Sequence, residues 1–190
     1  MKVHLLSGIN TLGTQQSMGL IAENLFKVGF KKEEIIAHPY GFPIVFGTAW
    51  LRNPFIARRI AKQIESNDII IGHSNGAALA WLMAKEGAPI TGIILIDPAL
   101  DAEKAMAPQV KWIHIFYNTC DNVVNWAKWI PFHLWGDQGR VGYIGNDSRY
   151  IQHDVGCHQT DAITEHSFAL HDSTWADIIA KTAWEETHKL

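Results

Sequence analysis

A chain of 190 residues with 47% hydrophobic side chains can bury a sizeable core, and with no linker or low-complexity stretch it reads as one domain over 1–190. Its 16 basic and 19 acidic side chains give a formal net charge of −3; the basic ones are scattered, so no nucleic-acid partner is expected, since binding phosphates takes a basic stripe. Apolar runs break well before the ~18 residues of a membrane span, and residues 1–6 are too short a run for a secretory leader, so a cytoplasmic protein without a membrane span is expected.

Residues 2–6 read as a buried strand ending at Ser7 and Gly8, and residues 17–26 place apolar side chains at helical spacing. A short strand over 34–38 precedes a Gly/Pro-rich loop at 39–47. Asn53 and Pro54 predict the start of a helix over 53–64, with proline in the first turn, where its missing N–H costs nothing. Residues 68–71 form an aliphatic strand that runs into Gly72-His73-Ser74-Asn75-Gly76 and then an alanine-rich helix ending near 85–89. Residues 92–97 pattern as a fully buried strand bounded by Pro98, residues 110–117 alternate into another, and a helix over 174–184 closes the series. Strands alternating with amphipathic helices imply a three-layer α/β/α arrangement around a mostly parallel sheet. Functional groups in such folds collect at the carboxyl ends of the strands, here after Leu6, Ile71, Ile96 and Tyr117.

The strand-to-helix junction carries the chemistry. A strand turning sharply into a helix holds its corner residue at positive φ, and the flanking positions are too crowded for a Cβ; Gly72 and Gly76 meet that demand around Ser74. The serine hydroxyl is then lifted above the sheet edge as a nucleophile. The Asn75 amide opens the helix and faces the place where a substrate oxygen would become negative.

With G-H-S-N-G at 72–76, the β/α alternation, and serine, acid and histidine in that order along the chain, the sequence resembles the α/β-hydrolase superfamily, specifically its small members without a large cap. Family members usually place two antiparallel strands before the first βα unit; this chain begins without them, so the resemblance implies a trimmed fold. It also implies an acid in the loop at 118–124, where Asp121 stands, accepting a hydrogen bond from one imidazole nitrogen. Asp97 competes for that role, and Asp97-Pro98 also reads as a strand-terminating turn. For the histidine the resemblance points to His166, which a small residue and an apolar pair follow. His171, close to a helix cap at Ser173 or Thr174, and His158 are the other candidates. The oxyanion amides would be those of Asn75 and of Ile9 in the loop after the first strand, with Gly8 freeing the backbone and Asn10 either a further donor or a turn former.

Eight tryptophans is a high count, and residues 125–135 concentrate aromatics. Trp126 and Trp129 would share a helical face and, with Phe132 and Trp135, could wall an acyl pocket; packing of that helix onto the sheet explains them equally well. Trp50, Leu51 and residues 40–43 are further candidate walls. Two cysteines, Cys120 and Cys157, without a C-x-x-C spacing, read as reduced thiols. The expected activity is that of a serine hydrolase, carboxylesterase- or thioesterase-like, that cleaves ester-type bonds of a small-molecule substrate through an acyl-enzyme on Ser74 and needs no cofactor. One alternative is a metal-dependent hydrolase using the segment 153–172, with His153, Asp154, Cys157, His158, Asp161, His166, His171 and Asp172, although these spacings match no known ligand motif. Another is a non-catalytic binding protein on a hydrolase scaffold. The oligomeric state is not legible in the sequence.

Overall fold

Six aliphatic or alternating runs pair side by side into one sheet in which every pairing is parallel, in the order β2-β1-β3-β4-β5-β6. The computed structural model describes residues 1–8, 18–40, 49–127, 135–158 and 160–189. Its elements are β1 (Val3–Leu6), α1 (Gly19–Val28), β2 (Ile35–Ala37), α2 (Ala49–Ala61), β3 (Asp68–His73), α3 (Asn75–Lys85), β4 (Ile90–Ile96), β5 (Trp112–Tyr117), α4 (Asn122–Ala127), α5 (Gln138–Val141), β6 (Tyr150–Asp154), α6 (Ala162–His166), α7 (Phe168–His171) and α8 (Ser173–His188). The fold is thus α/β, three layers around a central sheet, and the expected mostly parallel sheet is parallel throughout.

The continuous isoleucine runs of the central strands follow from burial on both faces. On one face Ile70, Ile93 and Ile113 pack against Ile56, Ile60, Leu79 and Met83 from α2 and α3. On the other, Ile69, Ile71 and Ile94 pack against Ile21 and Leu25 of α1 and Ile179 and Ala183 of α8. Each fully buried isoleucine is worth about 1.5–3 kcal/mol relative to exposure. Because β1 has β2 on one side and β3 on the other, the chain reverses its winding direction there, and the carboxyl ends of β1 and β3 open a crevice at the switch point.

Three local expectations are corrected. Helix α2 begins at Ala49 rather than at Asn53, so Pro54 lies inside it and forgoes the bond to the Trp50 carbonyl. Asn53 is therefore no cap; it is fully buried, with its side chain turned toward α3. Cys120 and Cys157 are not separate thiols but a disulfide, with Cα atoms 5.4 Å apart. The reason lies in strand register: Tyr117 pairs with Asp154 on adjacent parallel strands, and each cysteine stands three residues beyond its member of that pair. The cap of α8 is Asp172, whose carboxylate accepts from the amides of Thr174 and Trp175, rather than Ser173 or Thr174. The edge strand β6 had no counterpart among the expected strands. Its Tyr-Ile-Gln-His-Asp sequence is half-exposed and has no apolar run to mark it. Among the described residues, no helix is long and apolar enough to cross a membrane.

Candidate active site

Ser74 lies at the corner between β3 and α3 with φ 53° and ψ −117°, the left-handed conformation its flanking glycines predict. A Cβ on Gly72 would lie 2.9 Å from the carbonyl of Gly76. At Gly76 the obstacle is a different one: a Cβ there would run into the carbonyls of Leu6 and Ser7 at the end of β1. The corner is thus seated against the first strand, and Gly8 lies over it, its position 3.1 Å from Cβ of Ser74 when a Cβ is built there. The backbone of Ser74 is held in place by three bonds. Its N–H donates to the carbonyl of Ile96 at 3.0 Å, and its carbonyl accepts from Ala77 at 3.0 Å and Ala99 at 3.2 Å. The side chain is half-buried, reachable from the crevice.

The ring of His166, its centroid 5.0 Å from that of His73, is oriented by Asp121, with Nδ1 donating to the carboxylate at 2.6 Å. Asp121 is fully buried, and its other oxygen accepts from the amides of Val123 at 2.9 Å and Val124 at 3.2 Å as α4 begins. A residue needed to aim an imidazole is thereby fixed by its own helix start. Its N–H in turn donates to the carbonyl of Asn118. Asn118 joins this acid loop to the histidine loop, because its side-chain amide donates to the Glu165 carbonyl at 3.1 Å and to its carboxylate at 2.7 Å, while its oxygen accepts from Cys120. Burial pushes the Glu165 carboxyl up, but bonds from the Thr160 amide, Asn118 and the His158 amide outweigh it and leave its pKa below the usual value. Asn118 and Glu165 were not singled out by sequence reading; adjacency to Asp121 and His166 was their only signal.

Asp97, the rival acid, directly follows β4 with φ 43° and is almost fully buried, and one of its oxygens has no hydrogen-bond partner among the described residues. Burial, then the nearby carboxylates of Asp121 and Glu165, drive its pKa well up. Of the other histidines, His171 is exposed, and His158 stacks on Phe168 while its Nε2 faces the Val155 carbonyl. The metal-capable side chains of 153–172 are spread over separate tasks. His153 bonds His114 and stacks on Phe116, Cys157 is in the disulfide, and Asp161 and Asp172 cap α6 and α8. Among the described residues, no group of three or more His, Cys, Asp or Glu side chains is arranged to hold a metal.

The side chain of Asn75 turns away from Ser74 into a buried cluster, where its oxygen accepts from Asn53 at 2.7 Å and from the indole N–H of Trp135 at 3.0 Å. The Tyr40 hydroxyl lies beside Ser7 and Asn75, and burial raises its pKa. Trp135, expected as a pocket wall, is thus buried behind the corner. Of the other candidates, Ile9, Asn10, Trp129 and Phe132 lie outside the described residues, as does the loop from 41, and Trp126 is described only as part of the backbone of α4. Leu51 is half exposed on α2.

The same architecture recurs in solved structures. A dienelactone hydrolase-like promiscuous phosphotriesterase from metagenomic libraries matches with a TM-score of 0.56 at 16% identity, covering 100% of this chain and 87% of its own. The esterase domain of a Rhodothermus marinus protein matches at 0.54 and 14%, covering 96% and 85%. A hydrolase of the α/β superfamily from Xanthomonas campestris pv. campestris matches at 0.50 and 17%, covering 96% and 99%. No protein-family model matches the sequence, and no curated protein does. The chain has the α/β-hydrolase fold, in a trimmed, six-stranded form.

Proposed function

We propose that the protein is a serine hydrolase acting on ester-type bonds of small molecules. Ser74 attacks the carbonyl carbon, and Nε2 of His166, the ring nitrogen that Asp121 does not hold, takes the hydroxyl proton. The carbonyl oxygen becomes an oxyanion facing the Asn75 amide, assisted by the amide of Ile9. On collapse, His166 returns the proton to the leaving alcohol or thiol. Water, deprotonated by the same imidazole, then releases the acyl group from Ser74. Asp121 keeps the imidazole in the tautomer that accepts at Nε2 and stabilises the imidazolium.

The observation that carries this reading is the 2.6 Å bond from His166 Nδ1 to a fully buried Asp121, together with a serine at φ 53° between two glycines whose positions have no room for a Cβ. Neighbours of the same fold that are described as hydrolases and an esterase domain support it. Every catalytic step uses side chains and water, so no cofactor is required. A substrate pocket bordered by Trp126 and Trp129, a cytoplasmic setting and a single domain over 1–190 belong to the same proposal. The experiment is fluorophosphonate labelling, read by intact mass, together with p-nitrophenyl acetate hydrolysis. Labelling and turnover that vanish in Ser74→Ala support the reading; full activity in that variant removes Ser74 from its role.

A further inference from the structure

The residue after the proposed nucleophile is an asparagine whose side chain is fully engaged away from the crevice. Asn75 is 1% exposed, and its carboxamide forms a reciprocal pair with Asn53, which is 0% exposed: Nδ2 of Asn53 donates to Oδ1 of Asn75 at 2.7 Å, and Nδ2 of Asn75 donates back to Oδ1 of Asn53 at 3.2 Å. The indole N–H of Trp135 gives Oδ1 of Asn75 its second bond, at 3.0 Å. Both lone pairs of that oxygen are therefore filled, and it has no capacity left to accept from a substrate. Its backbone N–H is another matter, because an amide in the first turn of a helix has no intrahelical acceptor.

We propose that Asn53, with Trp135, is a positioning residue for the oxyanion amide: by clamping the Asn75 side chain from behind, it fixes the rotation of the peptide plane that presents the Asn75 N–H to the developing oxyanion. The inference rests on the serine-hydrolase reading of Ser74. Its physical logic is that an oxyanion donor works by being aimed in advance at where charge will form; the plane that carries the Asn75 N–H is held at its other end by the bonds from Ala77 and Ala99 to the Ser74 carbonyl, and the side-chain clamp holds it from the Asn75 end. The buried reciprocal amide pair adds a restraint on the Asn75 side of that plane. It also accounts for Asn53, a fully buried polar residue placed immediately before a proline inside α2, where an aliphatic side chain would pack without needing a partner.

The test is steady-state kinetics of Asn53→Ala on p-nitrophenyl acetate, with inhibition by a trifluoromethyl ketone, which forms an oxyanion on Ser74, and by a neutral alcohol that occupies the site without forming one. Losing one oxyanion donor costs about 10²–10³ in kcat, so a misaimed donor should cost about 10–100-fold, with KM within about twofold. Affinity for the ketone should fall in parallel with kcat, and affinity for the alcohol should hold. Should Asn53→Ala lose its cooperative melt, Trp135→Phe, which removes one donor and leaves a ring, is read the same way with an expected loss of about 3–10-fold. An unchanged kcat, or a loss carried by KM with ketone affinity retained, overturns the positioning role. Wild-type protein that neither turns over nor labels at Ser74 overturns the hydrolase reading and this inference with it; an active wild type beside an unaffected variant overturns this inference alone.

Discussion

The ring of His73 is bonded to the backbone of His166: Nε2 donates to the His166 carbonyl at 3.1 Å, and the two ring centroids stand 5.0 Å apart. Since His73 immediately precedes Ser74, the strand that presents the serine also holds the loop that presents the imidazole. Burial, then the neighbouring His166, lowers the pKa of His73 to about 3, so the ring is neutral at physiological pH. A carbonyl only accepts, which assigns the His73 proton to Nε2 and leaves Nδ1 as a buried acceptor without a partner among the described residues. A neutral ring at this distance anchors His166 without repelling the imidazolium that the proposed mechanism generates.

Removing that anchor should therefore impair chemistry more than binding. In His73→Leu, which keeps the bulk and deletes the donor, kcat for p-nitrophenyl acetate is expected to fall about tenfold with little change in KM, in line with the sensitivity of near-attack geometry to small displacements. A rate within twofold of wild type would show that His166 is positioned by Asp121 and Glu165 without help from the strand.

The two acids at the site are predicted to respond oppositely. Asp121→Asn leaves His166 in the wrong tautomer and should cost about 10³–10⁴ in kcat. Burial drives the pKa of Asp97 up and disfavours its charged form, so Asp97→Asn should cost little activity and add stability at alkaline pH. The sign follows from its raised pKa: its contribution is fully present below the value of an unfolded aspartate, about 3.9, and is lost as pH rises toward the higher folded value. The asparagine lacks this loss, so its melting temperature should exceed that of wild type by about 2–6 °C at pH 8, with the difference closing near pH 4. Greater kinetic damage from Asp97→Asn than from Asp121→Asn would reverse the assignment of the acid.

The sheet, its order of elements and the serine corner were legible in the sequence because each has a local signature: uninterrupted Ile runs in β3 and β4, and glycines two residues either side of Ser74. His166 and Asp121 were legible only through resemblance, since nothing within their own segments reveals that residues 45 apart meet at 2.6 Å. What sequence could not give is contact across elements. Asn53 read as the start of a helix beside a proline, and only the packing of α2 on α3 shows it paired with Asn75. The cysteines read as isolated thiols because β6, whose register with β5 brings them together, is an edge strand that water and neighbours share and that no hydrophobic run announces.

The Cys120–Cys157 crosslink ties the loop after β5 to the loop after β6, one residue before Asp121. Closing a loop of sequence separation 37 stabilises by about 3–4 kcal/mol in the chain-entropy account. Asp121, however, keeps its bonds to Asn118, Val123 and Val124 without the crosslink. Dithiothreitol, or the double variant Cys120→Ser/Cys157→Ser, is thus expected to lower the melting temperature by about 6–14 °C while leaving kcat at 25 °C within about threefold. Thiol trapping before and after reduction measures the bond itself. A melting temperature insensitive to reductant, with two free thiols in the untreated protein, would refute the crosslink.

Acid should destabilise the fold through its buried histidines. Burial, then His4 and Arg59, lowers His38 to about 4; burial, then His153, lowers His114 to about 4; and His73 lies at about 3. His4, bonded to both His38 and Asp68, is also lowered, with burial the largest cause. In the unfolded chain these rings take up protons near the ordinary imidazole value of about 6.5, whereas the folded protein resists until pH approaches 4 or below. The unfolded state binds more protons in that window, so stability is full above about pH 6.5 and declines as pH falls toward about 4, by roughly 1–3 kcal/mol per buried ring. Urea titrations at pH 7.5, 5.5 and 4.5 should show midpoints falling steadily, with the slope of the decline reduced in His38→Gln, which removes one of the titrating rings. A midpoint that is flat or rises over this interval would mean that the imidazoles are charged within the folded protein.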